Sequence, residues 1–236
     1  MSARISFENC RTFLNCQFNP VPREAGKRVL TRRTAITISR QTGSGAHAIA
    51  EKLVARLQAR SPNGSPPWTV FDRNLVEKVL EDHHLPTRLA SHLPEDRTSQ
   101  VEDIMGDLFD IHPPSWKLIE QTSETILRLA ELGNVILIGR GSNLVTARLA
   151  NVLHIRLVAP LDERIARIQE MRKLTRKAAA GVVHTEDRGR ARYVKKYFKA
   201  DIEDPLFYHL VINTGLVPVE ETVDIIVEAL RRPGAG

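Results

Sequence analysis

Five short apolar runs, separated by segments with helical periodicity, constrain the fold of this chain more than any other feature. The runs lie at residues 34–39, 68–71, 135–138, 152–158 and 210–212. Helices are predicted at 49–57, 75–82, 101–109, 115–132, 162–168 and 219–230, with a long basic helical region at 172–200. Short strands that alternate with helices indicate an α/β fold with a parallel sheet. We therefore predict five parallel strands flanked by helices.

The composition is that of a globular protein. The chain has 236 residues, of which 42% are hydrophobic and 26% are charged. These fractions exclude a collagen, a disordered chain and a disulfide scaffold. No stretch reaches the roughly 18 apolar residues of a membrane span, so we expect a soluble protein without a membrane partner. Cys10 and Cys16 match no common zinc spacing, which favours a reducing, cytoplasmic location.

Two segments carry the positive charge. The net charge is +6, yet residues 1–34 contain seven basic and two acidic side chains, and residues 164–199 contain twelve and three. The rest of the chain is acidic. Residues 1–33 lack sustained periodicity, so we predict a mostly disordered basic extension, a domain at 34–231 and a tail at 232–236.

A glycine turn follows the first predicted strand. It reads Gln41-Thr42-Gly43-Ser44-Gly45 and leads into an amphipathic helix. Such a turn suits phosphate, because glycines admit close approach and helix N-terminal N–H groups point at the anion. The P-loop consensus fails here: Arg40 replaces its first glycine, Ala46 its lysine and His47 its hydroxyl residue. By motif alone, a structural turn is the better interpretation.

The carboxyl ends of parallel strands meet at one edge of the sheet, which is where ligands bind in such folds. This edge should bring together residues 41–47, Asp72, Arg140 and Asn213. They come from four separate parts of the sequence, so their convergence depends on the fold.

Several short motifs follow one another in an order found in P-loop proteins. They are Ile-Thr-Ile-Ser-Arg-Gln-Thr-Gly-Ser-Gly at 36–45, Phe71-Asp72-Arg73, Ile138-Gly139-Arg140-Gly141 and Asp204-Pro205-x-x-Tyr208. Together they resemble the cytidylate kinase-like family from about residue 34 to 231. The resemblance implies a three-layer P-loop NTPase fold with a five-stranded parallel sheet and a mobile, helical basic lid at about 172–200. It also implies phosphoryl transfer from ATP to a nucleoside monophosphate of CMP or dCMP type, with Mg²⁺.

The resemblance implies that the donor phosphates bind to the turn and the start of its helix. These residues are Thr42, Gly43, Ser44, Gly45, Ala46, His47 and Ala48. Another cation must then replace the missing lysine. Arg40 is a candidate, with a salt bridge to the acidic body as the alternative. Arg188 and Arg192 share a helix face in the lid, and arginine forks suit phosphate. We predict Arg40, Arg188 and Arg192 as catalytic cations.

On the acceptor side, the resemblance points to Asp72, Arg73, Arg140 and Asp204 as substrate-binding residues. Asp72 and Asp204 have a second interpretation as helix caps. Two departures put the recognition of the base in doubt. Gly141 stands where cytidylate kinases have an aspartate after the arginine, and His209 follows Tyr208 where an aspartate is common.

Two functions of different classes fit this sequence. One is an ATP-dependent phosphotransferase with a small-molecule nucleotide substrate; the other is a degenerate P-loop protein that binds nucleotide in a regulatory role. No hydroxyl stands at positions 47 and 48, so only Thr42 or Ser44 is left to serve Mg²⁺. Nucleic acid is a disfavoured partner, because the basic clusters contain few aromatic side chains for base stacking.

Overall fold

The computed structural model describes residues 7–18, 33–62, 65–72, 76, 101, 103–105 and 117–230. Its centre is a sheet of five strands: β1 (Ala35–Arg40), β2 (Thr69–Phe71), β3 (Val135–Ile138), β4 (Val152–Val158) and β5 (Leu210–Asn213). The strands lie in the order β2-β3-β1-β4-β5, and all four pairings are parallel. Each predicted run therefore forms a strand within one residue of its predicted bounds.

Seven described α-helices flank or extend the sheet. They are α1 (Phe7–Phe18), α2 (Ala46–Gln58), α3 (Lys117–Leu132), α4 (Ser142–Val145), α5 (Leu161–Arg172), α6 (Arg176–Phe198) and α7 (Val219–Ala229). The helices predicted at 75–82 and 101–109 lie mostly outside the described residues. None of the described helices combines the length and the hydropathy needed to cross a membrane.

The two faces of the sheet bury separate apolar clusters. Ile36 and Ile38 of β1 pack on one face together with side chains of α2 and α7. Ala35 and Val135 lie on the opposite face with side chains of α1 and α3. Alternate residues of a strand point to opposite faces, and both faces are covered here. This arrangement confirms the predicted three-layer α/β fold.

Helix α1 corrects the expectation for the N-terminal extension as far as residues 7–18 are concerned. Its Cys10, Phe13 and Leu14 are buried in the cluster beneath β2. The Phe13 ring meets the Phe71 ring edge-on at 5.8 Å between centroids. The three buried side chains are spaced i, i+3 and i+4, which places them on one helical face. Residues 1–6 and 19–32 lie outside the described residues.

Helices α5 and α6 form a hairpin with its own small core. Lys173 ends α5 in the left-handed conformation, and the Thr175 hydroxyl caps α6 by accepting from the Ala178 N–H at 3.3 Å. Four buried side chains join the two helices: Ile165, Ile168, Ala179 and Val183. This cluster is separate from the two clusters of the sheet. Most of the basic region predicted at 172–200 is therefore the single helix α6, which packs on α5 through Ala179 and Val183 and reaches the sheet cluster through Phe198.

Candidate functional site

The loop that joins β1 to α2, residues 41–45, is called the glycine loop below. Gly43 has a φ of +82° and Gly45 a φ of +83°. A Cβ atom on Gly43 would lie 2.5 Å from the backbone oxygen of Arg164, so only glycine fits there. No side chain caps the N-terminus of α2. Its first N–H groups therefore offer a site for an anion.

Hydrogen bonds from several elements fix the conformation of the glycine loop. The Ser44 hydroxyl donates to the Gln41 carbonyl at 2.8 Å, and the Gln41 side chain accepts from the Ala159 N–H at 3.1 Å. The Thr214 hydroxyl, after β5, donates to the Ser44 carbonyl at 2.9 Å. The loop is thus held in shape by protein groups before any ligand arrives.

A cavity of about 660 Å³ lies beside the glycine loop at the carboxyl ends of β1, β2 and β3. The structure brings many of the predicted residues to its wall: Arg40, Thr42, Gly43, Ser44, Gly45, Ala46, His47, Ala48, Asp72 and Arg140. Arg188, Arg192 and Asp204 are not among the described residues that line it. Arg73 lies outside the described residues.

Arg40 extends from the end of β1 across the neighbouring strand end. Its guanidinium lies against Gly139, where a Cβ atom would collide with it. Burial lowers the pKa of Arg40 to about 10; the positive charge of Arg190 adds to this shift, whereas Asp72 and Glu186 oppose it. The guanidinium therefore remains charged at neutral pH and lines the cavity as a cation.

Helix α6 presents a different arginine to the cavity from those predicted. Arg190 lines the cavity and donates to the Thr42 hydroxyl. Arg188 and Arg192 are exposed to solvent. Residues two apart on a helix with 3.6 residues per turn lie on nearly opposite sides. The structure thus places Arg188 and Arg192 on a helix face that points away from the cavity, and their roles as phosphate ligands stay predictions.

An acidic pair on α6, Glu186 and Asp187, contacts the glycine loop. The Asp187 carboxylate accepts from the Thr42 N–H at 2.7 Å and from the Thr42 hydroxyl at 2.8 Å. Its other oxygen accepts from Arg164 at 2.6 Å. Glu186 accepts from Arg190 at 3.0 Å. The acidic pair therefore joins α6 to the loop through both a backbone group and arginines.

Arg167 of α5 is a second cation that the sequence analysis did not place in the site. Its guanidinium donates to the Gly43 carbonyl at 3.3 Å and to the Thr214 carbonyl at 2.8 Å. Arg190 was also missed, although a signal existed. It follows Glu186 by four residues and Asp187 by three, the spacing at which helical side chains pair.

The acceptor side of the cavity contains His47, Asp72 and Arg140. The His47 Nε2 atom lies 3.6 Å from an Asp72 carboxylate oxygen. Arg140 has a φ of +59°, and its guanidinium stacks over the Tyr193 ring at 5.4 Å. A Cβ atom on the next residue, Gly141, would lie 2.5 Å from the Phe198 ring. Phe198 thus fills the space beside Gly141, where an aspartate side chain was expected from the resemblance.

Asp204 and His209 serve local structure. The Asp204 carboxylate accepts from the Leu206 N–H at 2.9 Å and caps the 3₁₀ turn Pro205–Phe207, as its second interpretation proposed, and its substrate-binding role stays a prediction. The His209 ring stacks on His154 at 4.9 Å and accepts from the His154 N–H at 2.9 Å. Burial, aided by His209, lowers the pKa of His154 to about 4. Both histidine rings therefore belong to the packing of β4.

The described residues do not fit a magnesium site formed by loop hydroxyls. The Ser44 hydroxyl is buried and already donates to Gln41. The Thr42 hydroxyl is engaged with Asp187 and Arg190. Among the described ranges, no group of three acidic, histidine or cysteine residues could hold a metal ion.

Comparisons with known proteins identify the family to which the chain is similar. Residues 35–216 match the cytidylate kinase-like family. The chain is 34% identical over 116 residues to a uronate isomerase of Corynebacterium glutamicum, and 35% identical over 77 residues to a cytidylate kinase of Aeropyrum pernix. These alignments cover 49% and 32% of this chain. The chain spans only 22% of the first relative and 44% of the second.

One solved structure shares the fold over most of the chain. It is an uncharacterized protein from Eubacterium ventriosum, with a TM-score of 0.64 and 21% sequence identity. The alignment covers 84% of this chain and 98% of that one. At this identity, the likeness shows a shared fold alone.

Proposed function

This chain belongs to the cytidylate kinase-like family, and we propose that it is an ATP-dependent phosphotransferase that acts on a nucleoside monophosphate of CMP or dCMP type. One observation carries the proposal. A fixed glycine loop at the N-terminus of α2 shares one cavity with arginines from β1, α5 and α6. Phosphoryl transfer needs mainly positioning and neutralisation of negative charge, and these groups supply both.

On the donor side, the N–H groups of residues 42–48 bind the phosphates of ATP; that of Thr42 is bonded to Asp187 in this structure. The positive end of the α2 dipole favours an anion at this point. Ala46 stands at the position of the P-loop lysine. Three arginines take the place of that lysine: Arg40 from β1, Arg167 from α5 and Arg190 from α6. Their support is their position in the cavity wall, together with the planar fork that lets each bind two phosphate oxygens.

On the acceptor side, Arg140 and Arg40 attract the phosphate of the monophosphate. Asp72, paired with His47, orients the acceptor between β2 and the glycine loop. Neither Gly141 nor His209 supplies a carboxylate at the two positions where the family resemblance led us to expect one. The base is therefore recognised by other groups, among which the Tyr193 ring beside Arg140 lines the cavity.

Mg²⁺ supports the charge of ATP in reactions of this class. Because the loop hydroxyls are already engaged, this chain provides no loop ligand for the ion among its described residues. Mg²⁺ often binds through substrate phosphates and retains several waters.

A specific observation also favours a second function, nucleotide binding without phosphoryl transfer. Both hydroxyls that remain in the glycine loop, Thr42 and Ser44, bond to protein groups. Together with the missing lysine, this leaves the binding surface of a kinase with a reduced set of catalytic groups. In this role, the protein would respond to nucleotide through the position of α6.

A coupled assay of ADP release, run over all nucleoside monophosphates, tests the first function. Turnover with CMP or dCMP is expected. ATP binding by calorimetry, without turnover on any acceptor, would establish the second function instead. Absence of binding by folded protein would exclude both.

A further inference from the structure

We propose that Asp187, assisted by Glu186, is an internal anion that occupies the glycine loop in place of a donor phosphate. The triphosphate of ATP and the carboxylate of Asp187 then compete for the same loop. This inference rests on the proposed function, because it concerns the same phosphate site. It adds a control on that site: the carboxylates of α6 must leave the loop before the donor binds fully, while Arg190 of α6 stays to pair with the phosphate.

The contact between Asp187 and the loop has the chemistry of an anion site. One carboxylate oxygen lies 2.7 Å from the Thr42 nitrogen and 2.8 Å from the Thr42 hydroxyl oxygen. A backbone N–H and a hydroxyl that converge on one anionic oxygen are the groups with which such loops bind phosphate. Asp187 comes from α6, 145 residues away in sequence, so only a tertiary arrangement places it there.

The acidic pair also engages the cations that a phosphate needs. Arg164 donates to Asp187 at 2.6 Å, and Arg190 to Asp187 at 3.1 Å. Arg172 donates to Glu186 at 2.8 Å. A phosphate that enters would take over these arginines, and the carboxylates would leave. The exchange keeps the arginines paired with anionic oxygens, which limits its energetic cost.

The Glu186 carboxylate is charged near neutral pH. Burial raises the pKa of Glu186, but the hydrogen bonds and charges of Arg172 and Arg190 outweigh burial and hold this pKa below its usual value of 4.5. Glu186 is thus an anion like the phosphate that competes with the acidic pair. A competing anion therefore suffices to release the contact, without proton uptake.

The acidic pair lies on a stretch of α6 between two apolar supports. Ala179 and Val183 belong to the small cluster shared with α5, and Val194 and Phe198 support the helix nearer its C-terminal end. The glycine loop, by contrast, is tied to α5 and to the end of β5 through Arg167 and Thr214. When a phosphate displaces Asp187, the loop stays in place and α6 loses its anchor on it. Phosphate binding and α6 position are therefore linked.

Calorimetric titration with tripolyphosphate and with ATP tests the competition. Asp187→Asn keeps the size of the side chain but removes its charge, so it should bind both ligands about 5- to 100-fold more tightly than wild type, within the usual range of coupling. Asp187→Ala should increase both affinities by at least the same factor. Glu186→Gln should show a smaller gain, because Glu186 reaches the loop only through the Thr42 hydroxyl at 3.2 Å.

Asp162→Asn is the matched control. Asp162 is an exposed carboxylate that pairs with Arg176 of α6 at 2.6 Å. Its substitution by asparagine changes the net charge by the same amount as Asp187→Asn. It should leave both affinities at the wild-type value. Equal or weaker binding by both Asp187 variants, with normal circular dichroism, would overturn the proposal. So would a gain of equal size in Asp162→Asn, since bulk charge would explain it.

A second measurement reports on the loop itself. Hydrogen exchange at the Thr42 amide should be faster in Asp187→Ala than in wild type, because the carboxylate acceptor is gone. Saturating tripolyphosphate should restore protection. Unchanged exchange in Asp187→Ala would contradict the proposed contact. Tighter phosphate binding by the Asp187 variants without transfer to any acceptor would sustain this inference while excluding the proposed phosphotransferase.

Discussion

The glycine loop and α6 face the same cavity with different chemical groups. The loop offers backbone N–H groups in a conformation fixed by Gln41, Thr214 and the tight approach to Arg164. Helix α6 offers charged side chains, Arg190 and the acidic pair, that bond to the loop. An anion that binds the loop leaves these supports of its conformation in place and displaces only the carboxylates that α6 places there.

This difference separates two tasks. Fixed backbone dipoles need no reorganisation when charge arrives, which is the property that favours catalysis of charge transfer. Exchangeable ion pairs respond to the ligand and can report its presence. The loop therefore sets where a phosphate binds, and α6 sets when it binds. Substitutions on the two elements should affect different observables.

The largest effect is expected from Gly43→Ala in the loop. The new Cβ would lie 2.5 Å from the Arg164 carbonyl oxygen, at a φ of +82°. The loop must shift by about an ångström, and such a shift in a positioned site costs about 10²-fold in rate. Tripolyphosphate affinity and the turnover of any active acceptor should both fall.

Gly45→Ala is the control for Gly43→Ala. Gly45 has nearly the same φ, +83°, but the nearest atom to its Cβ would be 4.0 Å away. Gly45→Ala should lower the stability of the loop conformation only by the cost of a left-handed backbone at a residue with a side chain, about 1–2 kcal/mol. Equal losses of affinity in the two variants would show that backbone strain, and not the approach to Arg164, governs the loop.

The next effect separates the two faces of α6. Arg190→Ala should lower turnover by about 10²-fold, the usual cost of losing one group that stabilises charge in a transition state. Arg188→Ala should stay close to the wild-type rate, because its side chain is exposed. The rate of ADP release, measured for both variants, shows which of the two arginines contributes to turnover. A larger loss in Arg188→Ala would restore the prediction made from the sequence.

Sequence patterns predicted the loop better than they predicted α6. The five strands and the turn after β1 depend on local composition and on glycine, so they can be recognised without tertiary information. Convergence of Asp72 and Arg140 at one edge followed from the parallel topology. The side of α6 that faces the cavity depends on how the helix packs against α5. A spacing of four residues identifies a shared face, but not the direction in which that face points.

The same reasoning explains why helix α1 was not predicted from the sequence. Cys10, Phe13 and Leu14 have helical spacing, but they lie in a short segment among polar residues. Short isolated helices are marginal in water, so local signals seldom identify them. Burial against Phe71 and Val70 of β2 stabilises this helix. The surface that stabilises α1 forms only when the chain folds, so it cannot be recognised from the local sequence.

A change of pH should affect the sheet but not the contact between α6 and the loop. Burial lowers the pKa of His154 from 6.5 to about 4. The unfolded chain therefore binds a proton more readily than the folded chain. The resulting stability is present above pH 6.5 and is lost as the pH falls towards 4. Between about pH 7 and about pH 5 the free energy of unfolding should drop by about 2 kcal/mol.

Urea unfolding at the two pH values measures this drop. His154→Asn should flatten the pH dependence, although it also removes the bond to the Thr37 hydroxyl at 2.9 Å. Over the same range, hydrogen exchange at Thr42 should remain protected, since Asp187, which accepts the Thr42 N–H, is also held by Arg164 and Arg190. Loss of that protection near pH 5 would mean that a fall in pH disrupts the contact between α6 and the loop as well as destabilising the sheet.

The smallest effect concerns the aromatic contact at the far end of α6. In Gly141→Ala, the new Cβ would lie 2.5 Å from the Phe198 ring, at a φ of +67°. The ring can rotate away, so the cost should be about 1–2 kcal/mol, mostly from the left-handed backbone. Gly181→Ala, at an exposed position in the N-terminal part of α6 with no atom within 4 Å of its Cβ, should instead stabilise the protein by about 0.5–1 kcal/mol. Opposite shifts in the thermal midpoint would show that α6 is anchored at its C-terminal end by the packing of Phe198 beside Gly141, independently of the carboxylates that join its middle to the glycine loop.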